Sequence, residues 1–125
     1  LAVKDDAVYF LDAESSALRV LKDGKIKTLI GTGLFDFGLV DGKYPEAMMQ
    51  HPQGLSIFGD AIYIADTYNN AIRKYDIPSG RLGTHQKGRL NEPADILFTA
   101  AGRQGENWLV LVANGLTGGS VLIDP

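Results

Sequence analysis

The side chains that could perform chemistry in this chain are few and far apart. It contains two histidines and no cysteine, so thiolate nucleophiles, thiolate metal ligands and disulfides are excluded within it. A zinc site usually needs three or four protein ligands. His51 directly precedes Pro52, which opens an apolar strand pattern, whereas His85 lies in a polar segment where an exposed side chain is expected. No metal and no other cofactor is predicted.

Two aspartates, Asp12 and Asp66, each end a short apolar run, and an arginine follows each of them, at Arg19 and Arg73. A carboxylate at the end of a strand could act as an acid facing a ligand, but it could also cap the turn by accepting backbone N–H groups. Because both residue types recur at matching places, and catalytic residues seldom recur in every repeat, a structural role is predicted for all four.

Other kinds of chemistry are disfavoured by pattern or by charge. Gly31-Thr32-Gly33 lacks the third glycine or the lysine of a phosphate loop, so a plain turn is predicted there. The formal net charge is −3 and the basic residues are scattered, which argues against a nucleic-acid partner. No stretch approaches the roughly 18 apolar residues of a membrane span, so no membrane partner is expected. The absence of cysteine favours a cytoplasmic location.

An internal repeat indicates which elements would position these side chains. Residues 1–22 align with residues 55–76 without a gap, and a weaker third copy follows, in which Glu92-Pro93 parallels His51-Pro52 and Asn114 takes the place of Asp66. The aligned pairs that are identical in copies one and two are Leu1/Leu55, Asp6/Asp60, Ala7/Ala61, Tyr9/Tyr63, Asp12/Asp66, Ala17/Ala71 and Arg19/Arg73.

Each copy contains short apolar runs bounded by turn residues, and the runs are apolar on both faces. In copy two they cover 54–58, 61–65 and 71–76, with a short fourth strand expected around 81–85, and in copy one the fourth strand is expected at 25–30. Runs of this kind are typical of sheets stacked between neighbours. Four antiparallel strands repeated at roughly 40–50 residues are the mark of a β-propeller blade. The predicted fold is all-β, with Tyr63, Ile64 and Ile72 buried between blades.

The copies divide the chain into blade one at about 1–30, a connector over 31–50, blade two at about 51–90 and blade three at about 91–125. Pro45-Glu46-Ala47-Met48-Met49 in the connector is predicted to form one helical turn, with proline at its first position.

Blade three is the least regular copy, with strands predicted at 94–99, 108–113 and 120–123 and a long turn over 100–107. About 40–50 residues per blade gives two and a half to three blades, whereas closed propellers have roughly 4–8. We therefore expect a fragment of a longer propeller or a chain that self-associates. The expected partners are the remaining blades or a second copy.

The second copy resembles an NHL repeat. Its motif is Pro52-x-Gly54-Leu55 followed by Ile62-Tyr63-Ile64-Ala65-Asp66-Thr67-x-Asn69-x-x-Ile72-Arg73, and the preceding Val40-Asp41-Gly42 … Ala47 … His51-Pro52-Gln53-Gly54 extends the likeness. The pattern is similar to the propeller part of NHL-repeat proteins that carry an N-terminal thioredoxin-like domain. The resemblance implies a propeller, usually of six blades, that serves for binding or scaffolding. Copy three departs from the motif at Asn114.

The predicted function is therefore non-catalytic binding or scaffolding, with a protein or a small molecule as the ligand. The resemblance leaves two alternatives open: a part of a metal-dependent propeller lyase or hydrolase centred on His51, or an accessory propeller of a thioredoxin-like redox protein. The residues predicted to face a ligand lie at strand openings or in the turn after a second strand: His51, Gln53, Tyr68, Asn69, Glu92 and Asn114.

Overall fold

The computed structural model describes the backbone of residues 1–104, 107–114 and 120–123, and the side chains of residues 1–97. This part of the chain forms three antiparallel sheets and one short 3-10 helix, Thr67–Asn69. The all-β prediction is therefore confirmed. Over the same residues, no helix has the length and apolarity that a membrane span would require.

Sheet one is a meander whose four strands pair in the order in which they occur in the chain. Its last hairpin closes through Asp23 and Gly24, with φ of 53° and 73°, and positive φ at both central residues is what a primed two-residue hairpin turn requires. The strands are β1 (Ala2–Lys4), β2 (Ala7–Asp12), β3 (Ala17–Lys22) and β4 (Lys25–Ile30).

Sheet two has the same four-stranded order. Every residue of its second strand is buried. Because successive side chains of a strand point to opposite faces, both faces of this sheet are covered by neighbours, as the doubly apolar runs predicted. The strands are β5 (Gly54–Phe58), β6 (Ala61–Asp66), β7 (Ala71–Asp76) and β8 (Arg81–Lys87).

Sheet three is formed by β9 (Pro93–Gln104), β10 (Asn107–Asn114) and β11 (Ser120–Ile123). The long turn predicted over 100–107 is wrong for its first part, because β9 continues to Gln104, which pairs with Asn107. A register shift between Asn107 and Leu109 accommodates the additional residues of β9. β9 therefore continues through Gly102 despite its turn signal, and residues 100–103 form an irregularity opposite Trp108.

Two apolar clusters join the sheets. Ile62 and Ile64 of β6 pack in the first, together with side chains of sheet one and the connector. Tyr63 and Ile72 pack in the second, together with Ile96 of sheet three. Tyr63, Ile64 and Ile72 are 2%, 0% and 0% exposed, so their predicted burial between blades is confirmed.

Gly54, at the start of β5, lies where sheet two closely approaches sheet three. A Cβ at this position would lie 2.8 Å from the carbonyl oxygen of Ala94 and 2.8 Å from both Cα and Oδ1 of Asp95. We expect Gly54→Ala to lower the free energy of unfolding by about 1–3 kcal/mol, as overpacked cores do, measured by urea denaturation. Gly83→Ala, in β8 with open space around it, is the matched control and should be nearly neutral. Equal effects of the two changes would contradict the close approach.

The connector lies along the outer edge of sheet two. Gly42 and Leu82 exchange two backbone hydrogen bonds, of 2.9 and 2.7 Å, and Val40 forms a bridge with Met48. The predicted helical turn over 45–49 is not formed, because Met48 is held extended against Val40. An added segment of this kind covers backbone groups that an edge strand would otherwise expose.

Candidate ligand-binding face

One end of the sheets gathers the segments from which the predicted ligand-facing residues come. We call it the connector face and define it by the turn 12–16, the connector and β5 opening 31–53, the turn 66–70 and Glu92. The first strands of the three sheets, β1, β5 and β9, lie next to one another beside it. Loops held on a rigid scaffold are where binding residues are most often found.

A buried ion pair lies directly beneath this face. Asp66 and Arg73 are both 0% exposed, and Arg73 Nη1 donates to Asp66 Oδ2 over 2.8 Å. Asn69 Nδ2 donates to the same oxygen and the backbone N–H of Gln50 donates to Oδ1, each over 2.8 Å. Burial raises the pKa of the Asp66 carboxyl, and the hydrogen bonds from Asn69, Gln50 and Arg73 oppose that rise. The carboxylate oxygens are thus occupied by protein donors.

The guanidinium of Arg73 also binds the connector. Nη1 donates to the carbonyl oxygen of Met48 over 2.8 Å, and Nη2 donates to the carbonyl oxygen of Val40 over 3.0 Å and to Asp41 Oδ1 over 2.9 Å. Thr84 Oγ1 donates to the same Asp41 oxygen over 2.8 Å. One arginine therefore fixes both sides of the Val40–Met48 bridge, while its Nε has no partner within the described residues.

The corresponding pair in sheet one is more open. Arg19 Nη1 donates to Asp12 Oδ2 over 2.6 Å, with side chains 26% and 37% exposed. The remaining hydrogen bonds of Arg19 go to Thr28 and Ser15 of the same sheet. The hydrogen bond from Arg19 is the main reason that the pKa of the Asp12 carboxyl is lowered. The same two residue types thus form a local surface pair in one copy and a buried connector anchor in the next.

His51 and Glu92 join their blades to the preceding ones through backbone N–H groups. The N–H of His51 donates to Ser16 Oγ over 3.0 Å, and that of Glu92 donates to Asn70 Oδ1 over 2.8 Å. Ser16 and Asn70 occupy aligned positions of the repeat, and all four residues have positive φ, between 45° and 52°. Sequence reasoning missed Ser16 and Asn70, although asparagine in the turn after a second strand is a signal for left-handed backbone.

The structure brings together His51 and Tyr68, two of the predicted ligand-facing residues. Their rings stack with centroids 4.5 Å apart and planes 16° apart. Tyr68 is 51% exposed, so the pair forms an aromatic step at the surface. Its base is fixed because the N–H of Tyr68 donates to the carbonyl oxygen of Gln50 over 3.2 Å.

The other predicted residues are placed differently. Asn69 points inward, since Nδ2 also donates to the carbonyl oxygen of Gly38 over 2.8 Å. Gln53 is exposed and lines a cavity of about 540 Å³ between the first strands, together with Gly54 and Asp95. Asn114 ends β10, and its side chain lies outside the described residues. A role in ligand binding stays a prediction for all six residues.

The connector presents exposed apolar side chains. Phe35 is 90% exposed, and Leu34, Phe37 and Tyr44 are also exposed. The segment that carries them is fixed by the N–H of Gly38, which donates to the carbonyl oxygen of Met49 over 3.0 Å. Contiguous exposed apolar side chains on an ordered segment mark contact surfaces.

Metal-binding side chains do not cluster in this region. Across the part of the chain that is described, no three histidine, cysteine, aspartate or glutamate side chains come together in a way that could hold an ion. The ring of His51 lies against Tyr68.

Three antiparallel sheets, stacked with their first strands adjacent, define a partial β-propeller. A structural genomics protein of unknown function from Bacteroides thetaiotaomicron has the same fold, with a TM-score of 0.73 and 21% identity over 94% of this chain and 32% of that chain. No family model matches the sequence.

Curated relatives identify the class of β-propeller more narrowly. The chain is 35% identical over 117 residues to Protein SUPPRESSOR OF QUENCHING 1, chloroplastic, of Arabidopsis thaliana. The aligned segment covers 76% of this chain and 11% of that protein. The chain is also 39% identical over 80 residues to NHL repeat-containing protein 2 of Gallus gallus. Here the aligned segment covers 57% of this chain and 11% of that protein. The chain belongs to the NHL-repeat β-propellers, and it spans 11% of the length of each of these relatives.

Proposed function

We propose that the chain is a non-catalytic binding or scaffolding module and that it binds a protein partner through the connector face. The observation that carries this proposal is the pinned connector, in which a fully buried Arg73 holds the segment that presents Phe35 and Phe37 to solvent. Aromatic side chains held in place in this way are the usual anchors of protein interfaces.

The charges favour binding over catalysis. Asp66 and Arg73 are occupied by each other and by connector groups, so neither is free to act on a substrate. A buried ion pair is a weak source of stability but can fix one arrangement of the backbone. Here that arrangement is the connector, and the tyrosine of the His51–Tyr68 step lies exposed beside it.

The first test uses a displayed library of random peptides selected on the chain. Peptides selected on the wild type should lose binding to the double variant Phe35→Ser/Phe37→Ser by about tenfold or more, as expected when interface anchors are removed. Leu97→Ser removes an exposed apolar side chain from sheet three and should leave binding unchanged. Selected peptides that bind Leu97→Ser and the double variant equally would contradict the proposal.

Metal analysis separates this function from the enzyme alternative. A stoichiometric metal that is bound by the purified chain and lost on His51→Ala would favour a propeller lyase or hydrolase. If the chain is a binding module, His51→Ala should leave the metal content unchanged and remove only the stacking contact with Tyr68.

For the partners within a propeller, we propose that another blade covers the second face of sheet one. Val8 and Phe10 align with Ile62 and Ile64, which are fully buried against sheet one. Val8 and Phe10 are only half-buried and Val3 on β1 is exposed. In sheet two this face is covered by sheet one. The corresponding face of sheet one is open, so one of the remaining blades or a second copy can cover it.

A further inference from the structure

A groove runs between sheets one and two at the end of the blades opposite the connector face. It has a volume of about 500 Å³, and its lining includes Tyr9, Val20, Lys22, Lys27, Tyr75 and Ile77. The turn Ile77–Gly80 and the first residues of β2 place it at the far end of the strands. We propose that this groove binds a small organic anion, with a carboxylate or phosphate group on an apolar body.

Two buried phenols form its floor. Tyr75 is 5% exposed and Tyr9 is 9% exposed, and both line the groove. Within the described residues, neither hydroxyl takes part in a hydrogen bond, and the Arg73 Nε is the fully enclosed polar atom that lacks a partner. Neither hydroxyl is among the enclosed atoms without a partner, so each is reached by solvent, where water or a ligand can accept its hydrogen bond. The groove is the space into which these hydroxyls can donate.

The Tyr75 phenol remains a donor at neutral pH. Burial raises the pKa of the Tyr75 hydroxyl, and the neighbouring Tyr9 and Asp76 raise it further. A protonated phenol donates one hydrogen bond, so this floor suits an acceptor with lone pairs, such as a carboxylate or phosphate oxygen.

Lysines supply the positive charge on the sheet-one side. Val20 pairs with Tyr9 on one strand and with Lys27 on the other, so the three lie side by side on one face. Lys22 follows two residues after Val20 and lies on the same face. The ion pairs of the described residues involve neither Lys22 nor Lys27.

The rim has one further lysine and one acid. Lys4 Nζ lies 3.4 Å from Asp60 Oδ1 and is neutralised by it, and Asp5 also lines the groove. The anion is therefore directed to the side of Lys22 and Lys27, away from Asp5.

The opposite wall is firm and apolar. The N–H of Ile77 donates to the carbonyl oxygen of Asp60 over 2.9 Å, and the N–H of Gly80 donates to the carbonyl oxygen of Asp76 over 2.8 Å. Ile77 of this wall packs on the first apolar cluster, as do Val20 and Leu29 on the sheet-one side, and all three line the groove. The volume lies within the roughly 300–1,000 Å³ of ligand cavities, and the lining combines apolar side chains with the phenols and the lysines.

The test compares naphthalene-2-carboxylate with its neutral isostere naphthalene-2-carboxamide by NMR titration of the whole chain. The carboxylate should shift the signals of Tyr9, Val20 and Tyr75 and bind about tenfold or more tightly than the amide, because charge-assisted hydrogen bonds are the stronger ones. Equal affinity of the two compounds, or shifts confined to residues outside the groove, would overturn the proposal.

Two pairs of variants locate the binding groups. Tyr9→Phe/Tyr75→Phe and Lys22→Gln/Lys27→Gln should each weaken carboxylate binding by about tenfold. The matched control for the lysine pair, Lys74→Gln/Lys87→Gln, changes the same groups outside the groove lining and should bind like the wild type. A control that weakens binding as much as the groove variants would overturn the proposal. The groove and the connector face share no lining residue, so either proposal can fail alone.

Discussion

Replacing Arg73 with methionine is expected to lower the free energy of unfolding by about 3–5 kcal/mol, because it leaves a buried charge on Asp66 without its partner. The change also removes the donors to the carbonyl oxygens of Val40 and Met48. Equilibrium urea denaturation measures the first effect. Hydrogen exchange measures the second effect. Relative to the wild type, the N–H groups of Val40 and Met48 in the connector bridge should gain more in exchange rate than the N–H groups of β3.

Arg19→Met is the matched control for this prediction. The Arg19–Asp12 pair is 26% and 37% exposed, and such pairs contribute about 0–1 kcal/mol. Adding Asp66→Asn to Arg73→Met removes the unpaired charge, so the double variant should be less destabilised than the sum of the single changes. Equal losses for Arg73→Met and Arg19→Met, or simple additivity with Asp66→Asn, would show that the buried pair does not anchor the connector.

Much of sheets one and two could be predicted from sequence because their strands are defined locally. β4, β5 and β7 begin and end at the predicted residues, since each apolar run is bounded by turn residues that need positive φ or cap a backbone group. β8 extends two residues beyond the prediction, to Lys87, where the pairing of Ala71 with Lys87 continues the ladder. Such extension depends on the neighbouring strand and has no local signal.

The connector could not be predicted in the same way. Its conformation depends on hydrogen bonds from Arg73 to Met48, Val40 and Asp41, which are 25, 33 and 32 positions away in the chain. Local preference favoured a helical turn after Pro45, and contacts with sheet two outweighed it. The sequence shows Asp41 only as part of the Val40-Asp41-Gly42 motif, because its partner in β7 is distant in sequence.

The candidate site was predicted in part. His51 and Tyr68 were chosen from their places in the repeat, and their rings lie in contact. Asn69 was chosen by the same rule, but its amide holds Asp66 and the connector. The groove between sheets one and two was missed altogether. Tyr9 and Tyr75 lie within apolar runs in the sequence, and only the packing of two blades shows that both line a common space.

Ile72→Ala is expected to lower the free energy of unfolding by about 2–5 kcal/mol, the range for large-to-small changes in a core. Ile72 is 0% exposed and packs with Tyr63, Ala65 and Ile96 in the cluster between sheets two and three. The side chain has no polar group, so the loss reports apolar packing alone. Urea denaturation followed by circular dichroism measures it.

Ile26→Ala is the matched control for Ile72→Ala, because it removes the same atoms from a side chain that is 64% exposed on the outer strand of sheet one. Surface changes of this kind stay within about 0.5 kcal/mol. If Ile72→Ala were as mild as Ile26→Ala, sheets two and three would not be packed against each other. If Ile26→Ala were as severe, the outer strand of sheet one would be covered in solution, as a neighbouring blade or a second copy would cover it.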